Sequence, residues 1–107
     1  MFGFKERKVV NPEKQSPESK IKELLVTIVE QIDSNQGVNA IKSIVECDKL
    51  ISDLPAVHQS KISIYWGGVM GMTNMLLIMP EPVAKVQMQT TLPMIKIHVM
   101  NTLGQLS

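Results

Sequence analysis

The stretch that decides the fold is Ile62-Ser-Ile-Tyr-Trp-Gly-Gly-Val-Met-Gly-Met-Thr-Asn-Met-Leu-Leu-Ile-Met79. No charged residue lies between Lys61 and Glu81. An apolar segment of this length must be covered by the rest of the chain, by a partner or by lipid. Which of these covers it decides both the architecture and the function.

Charge and methionine are distributed unevenly along the 107 residues. The chain carries 11 Lys+Arg and 10 Asp+Glu, but after Asp53 the charged residues are only Lys61, Glu81, Lys85 and Lys96. Seven of the eight methionines lie in the second half, at positions 70, 72, 75, 79, 88, 94 and 100. The length predicts one domain, and the balanced charge argues against nucleic-acid binding, which needs a basic face.

Residues 1–15 mix basic, polar and proline residues without periodicity, which predicts a flexible N-terminal arm ahead of a single helical domain at 16–107. The amino end lacks the apolar run of a secretory signal peptide. A lone cysteine, Cys47, excludes an internal disulfide and suits a reducing compartment. We therefore expect a cytoplasmic protein.

Two amphipathic helices are predicted before the uncharged stretch. Ser16 is a suitable N-cap and Pro17 a suitable first helical residue. The apolar positions that follow recur at three- and four-residue spacing: Ile21, Leu24, Leu25, Ile28, Val29 and Ile32. Gly37 is suited to a left-handed cap, and a second stripe occupies 38–52. The short connection makes the two helices antiparallel neighbours.

The second half fits two interpretations. In the helical one, residues 55–79 form a long buried helix, and Met79-Pro-Glu-Pro82 forms a turn. A last helix begins at 83–89, is interrupted near Pro93, and resumes at 94–103. We predict this all-α fold, a small bundle of three to four helices, because the prolines sit where helices start.

The alternative is an α+β fold with the two N-terminal helices packed on a short antiparallel meander. Isoleucine and tryptophan at 62, 64 and 66 alternate with other residues, as do apolar residues at 86–88 and 95–99. Alternation of this kind is typical of half-buried strands.

Three glycines in the central stretch suggest close approach between helices. Gly67 and Gly71 have the small-residue spacing of a helix-packing motif, with Gly68 beside them. The 18 residues from 62 to 79 sit at the lower limit for a membrane span, and their polar and glycine content dilutes the hydrophobicity. We therefore prefer a buried or partner-covered helix, and keep membrane insertion of 62–79 as the alternative.

No motif for catalysis, a metal or a cofactor stands out. His58 and His98 are the only histidines, forty positions apart, so no local metal site is built. Cys47 falls within an amphipathic pattern, where cysteine is usually a small core residue. The methionines could offer thioether ligands to Cu(I), but unbranched methionine more often fills cores and pliable binding grooves.

We therefore expect a non-enzymatic protein-interaction module, acting as adaptor, inhibitor or assembly chaperone through residues 62–103. Its partner would be another protein or a second copy. The expected partner-binding residues are Tyr65, Trp66, Met70, Met75, Met79 and Met88. Tyr65 and Trp66 are the candidate anchors, because such aromatics dominate the energies of many interfaces.

Overall fold

Four α-helices form the fold in the computed structural model, which describes residues 16–107. They are α1 (Pro17–Asp33), α2 (Gly37–Ser52), α3 (Ala56–Ile78) and α4 (Glu81–Leu106). No strand occurs within the described residues, so the predicted all-α bundle is confirmed and the strand alternative is wrong. The predicted flexible arm, residues 1–15, lies outside them.

Local hydrogen bonds cap both ends of the first helix. The Ser16 hydroxyl accepts the backbone N–H of Ser19 at 3.1 Å, which satisfies one of the free donors of the first turn. At the other end, Asn35 and not Gly37 takes the left-handed conformation, with φ of 62°. The N–H of Gln36 then reaches the carbonyl of Gln31 at 2.8 Å, which completes a Schellman-type cap.

Gly37 begins α2, and its lack of a side chain serves packing instead of the turn. A Cβ there would lie 3.0 Å from both Leu92 Cδ1 and Met88 Sδ. The start of α2 therefore packs closely on the middle of α4, which a larger residue would push away.

The last helix runs unbroken from Glu81 to Leu106, so the predicted interruption near Pro93 is wrong. Proline removes a helix hydrogen bond and crowds the preceding turn. Pro93 itself is exposed, but its neighbours Leu92 and Ile95 are buried in the core. Burial on both sides of the proline holds the helix together despite its local cost.

The helices pack in a ring, α1 on α2, α1 on α4, and α3 on α4, with a much slighter contact between α2 and α3. The molecule is elongated, about 57 × 28 × 20 Å. One core runs through all four helices, and its fully buried side chains include Ile21, Leu25, Ile28, Ile44, Cys47, Ile62, Val69, Ile95 and Val99. The helix with the most apolar sequence, α3, thus buries only the side that faces this core, and the same is true of α4.

The continuous helix through Pro93 predicts that Pro93→Ala stabilises the chain. Alanine restores the N–H and removes the ring, at an exposed site where nothing else is lost. We expect the free energy of unfolding to rise by about 1–3 kcal/mol in urea denaturation followed by circular dichroism. The control is Gln89→Ala, an exposed change one turn earlier, with an effect within about 0.5 kcal/mol. No gain over this control would contradict the continuous helix.

Candidate interaction surface

The exposed apolar side chains of the molecule are concentrated on α3 and α4. Among residues 16–107, twelve large apolar side chains are exposed, and ten of them belong to these two helices. The ten are Val57, Ile64, Met75, Leu77, Ile78, Val83, Val86, Met94, Ile97 and Met100. By contrast, α1 and α2 present mostly charged and polar residues to solvent. The uneven distribution of apolar residues along the sequence therefore places most exposed apolar side chains on one part of the surface.

Seven exposed positions form one line along the outside of α3, which we term the outer ridge. They follow alternating three- and four-residue steps, so they share one side of the helix: Val57, Ser60, Ile64, Gly67, Gly71, Asn74 and Ile78. Ile64 and Ile78 are each 83% exposed. The ridge carries no charge, and its centre is two glycines.

Four methionines meet in a groove between α3 and α4. Met72 and Met75 come from α3, Met79 directly follows that helix, and Met94 comes from α4. The groove has a volume of about 250 Å³, and Leu76, Gln87 and Thr91 complete it. Two of the predicted partner-binding residues, Met75 and Met79, are thus brought together here with two that were not predicted.

A larger cleft of about 520 Å³ opens on the other side of α3, where α2 covers it incompletely. Trp66, Gly67 and Met70 line it from α3, and Asp48 and Ile51 from α2. Met70 is half-buried in its wall. Met88 lies elsewhere, beside Gly37 and Leu92. The six predicted partner-binding residues therefore do not form one patch.

Trp66 is a core residue and not an exposed anchor. Its side chain is only 4% exposed, and its indole N–H donates to Asp48 Oδ1 at 2.8 Å. This bond joins α3 to α2, where the two helices otherwise pack slightly. Tyr65 is half-buried. Ile64 and Ile78 are the most exposed large apolar residues within 16–107, and heptad spacing along α3, unlike aromatic residue type, identifies both.

The three glycines of the central stretch have different surroundings. A Cβ on Gly68 would lie 2.3 Å from His98 Cδ2, so the α3–α4 contact needs glycine there. A Cβ on Gly67 or Gly71 would meet nothing within 4 Å, and both glycines are exposed. Among the described residues, Gly68 packs against the neighbouring helix, whereas Gly67 and Gly71 face open space.

The described residues do not assemble a metal centre from histidine, cysteine or carboxylate ligands. No group of three or more His, Cys, Asp and Glu side chains within 16–107 is placed to hold a metal ion. Burial, helped by the carboxylates of Asp48 and Glu46, raises the pKa of the Cys47 thiol to about 12. A thiolate is the reactive form of cysteine, so Cys47 is inert. His58 Nδ1 lies 3.3 Å from Glu18 Oε2 near the surface.

None of the four helices in the described part of the chain is long and apolar enough to cross a bilayer. Comparison with protein-family models, curated proteins and solved structures finds no match to this chain.

The burial of Trp66 predicts that Trp66→Ala destabilises the fold itself. The change removes a large core side chain and leaves the Asp48 carboxylate without its indole donor. We expect a loss of about 3–5 kcal/mol in the free energy of unfolding. Urea denaturation by circular dichroism measures it, with Tyr65→Ala as the half-buried neighbouring control. Equal losses for the two variants would show that Trp66 is not a core residue.

The glycine geometry predicts opposite effects for two alanine substitutions. Gly68→Ala pushes against the His98 ring and should cost about 1–3 kcal/mol of stability. Gly71→Ala meets open space and should gain about 0.5–1 kcal/mol from helix propensity. Thermal melts in dilute solution compare them. In a His98→Ala background the penalty at Gly68 should vanish, and its persistence would point to another cause.

Proposed function

We propose that this chain is a non-enzymatic protein-interaction module whose docking surface is the outer ridge of α3 with the adjoining side of α4. The observation that carries the proposal is that, within residues 16–107, ten of the twelve exposed large apolar side chains lie on these two helices. A helix that is apolar all round is normally buried on every side. The outward sides of α3 and α4 are exposed instead, and a partner protein would cover them.

The groove between α3 and α4 supports the same proposal. Met72, Met75, Met79 and Met94 give it flexible, unbranched walls. Such walls adapt their shape to an incoming apolar side chain, which suits docking of a protein surface. An adaptor, an inhibitor and an assembly chaperone all work through such a contact, and the lone buried thiol suits the cytoplasm.

The test is to place one charge on the ridge and follow the mass of the native complex. Ile64→Glu alters a side chain that is 83% exposed, so the fold should survive while docking is lost. The tagged chain in an extract of cells that express it should elute well above its 11.9 kDa. Ile64→Glu should return it to the monomer position.

The matched control is Val38→Glu, which adds the same charge at an exposed apolar residue of α2, away from α3. It should leave the native mass unchanged. A wild-type chain that elutes as a monomer from the extract, or a control that disrupts the complex equally, would refute the proposed surface.

A further inference from the structure

We propose that the methionine groove between α3 and α4 binds one Cu(I) ion through the thioether sulfurs of Met72, Met75 and Met94. This inference goes beyond the proposed function, because a metal ion needs the sulfur atoms, whereas a partner protein needs only an apolar surface. Three properties of the groove support it: the position of the three methionines across the helix pair, their exposure, and the uncharged groove wall.

The contact between Gly68 and His98 sets the register in which α3 and α4 face each other. The two helices are joined by residues 79–80 alone, so they run antiparallel. Met72 lies one turn beyond Gly68 along α3, and Met94 lies one turn before His98 along α4. These two methionines are therefore opposite each other, and both line the groove.

Met75 supplies the third sulfur from the same side of α3. It follows Met72 by three residues, a spacing that places the two Cβ atoms about 5–6 Å apart on a helix. Methionine has three rotatable bonds, so its sulfur can move toward a shared point between the helices. The close approach of the helices at Gly68 shortens the distance that Met94 must span. The three thioethers can thus converge on one ion.

The exposure of these methionines distinguishes them from side chains that only fill a core. Met75 is 57% exposed and Met94 is 54% exposed. Met72 is half-buried and packs against the core. One thioether is therefore held in place by packing, and the other two are open to an ion that arrives from solvent.

The chemistry of the groove wall selects the kind of metal. The described residues that line it are four methionines with Leu76, Gln87 and Thr91, and none of these has a charge, an imidazole or a thiol. Zn²⁺, Ca²⁺ and Mg²⁺ bind mainly through thiolates, imidazoles or carboxylates. Neutral thioethers are soft ligands that favour Cu(I). The groove therefore suits a soft monovalent ion and disfavours the common divalent ones.

Anaerobic titration of the purified chain with Cu(I) tests the site. The chain should withdraw one equivalent of Cu(I) from its bicinchoninate complex, and X-ray absorption should show sulfur ligands only. Met75→Leu and Met94→Leu keep the apolar volume but remove the sulfur, so the fold should persist, as circular dichroism checks. Each should weaken Cu(I) binding at least about tenfold, because even the loss of an outer-shell partner costs about 10- to 100-fold.

Two control variants exclude other sulfur atoms of the chain. Met100→Leu removes a thioether of similar exposure, 52%, from α4 outside the groove, and its Cu(I) affinity should equal that of the wild type. Cys47→Ala should also keep the wild-type affinity, because the buried thiol is held in its protonated form.

Thermal melts give a second measurement. An ion held by both helices binds the folded chain and not the unfolded one, so it should raise the melting temperature. Ag(I), a soft monovalent ion that is stable in air, serves as the probe. It should raise the melting temperature of the wild type and of Met100→Leu by equal amounts, and that of Met75→Leu by less.

The outcomes separate this inference from the proposed function. Leucine preserves the apolar surface, so Met75→Leu and Met94→Leu should keep the Ile64-dependent complex of the extract while they lose the ion. The copper site is overturned by no Cu(I) uptake, by unchanged affinity in both leucine variants, or by an equal loss in Met100→Leu or Cys47→Ala. Each of these results leaves the docking surface standing. Cu(I) uptake by a chain that elutes from the extract as a monomer keeps the copper site and overturns the docking surface.

Discussion

An apolar helix in a four-helix bundle can bury only the side that faces its own bundle, and this constraint governs the structure. The 23 residues of α3 contain one charge, Lys61, yet α2 covers only a small part of the helix and α4 covers one flank. The inner side provides Ile62, Val69 and Leu76 to the core. Ile64, Met75 and Ile78 remain exposed among the described residues 16–107.

Two contacts fix α3 in place, and they act on opposite flanks. On one flank Gly68 admits the His98 ring of α4 against the α3 backbone. On the other, the Trp66 indole reaches Asp48 of α2 where the packing between these helices is slight. A hydrogen bond to a carboxylate is strong and directional, and this one is partly shielded from solvent. The orientation of α3 about its own axis is therefore set by these neighbours, which decides which residues form the outer ridge.

The exposed side of α3 has two features that favour contact with another helix: central glycines and an adjacent methionine groove. Its two central glycines have open space above them, and glycine within a helix costs stability relative to alanine. The adjacent groove has four methionines, which pack adaptably. Gly67 and Gly71 therefore lower the stability of α3, and among the described residues no packing contact compensates for this. A close contact with another helix would offset that cost, which is why the glycines bear on the proposed partner.

The sequence by itself determined the two N-terminal helices and the polarity of each half. Apolar spacing and the Ser16 cap located α1, and a similar spacing located α2, because these signals act within a few residues. It also showed that residues 62–79 form one long uncharged segment. Tertiary structure decided the rest. Burial of Leu92 and Ile95 carried α4 through Pro93, and the neighbours of α3 put Trp66 inside and Ile64 outside. In a helix that is apolar on every side, periodicity carries no information about which side faces inward, so only the packing of the other helices could assign it.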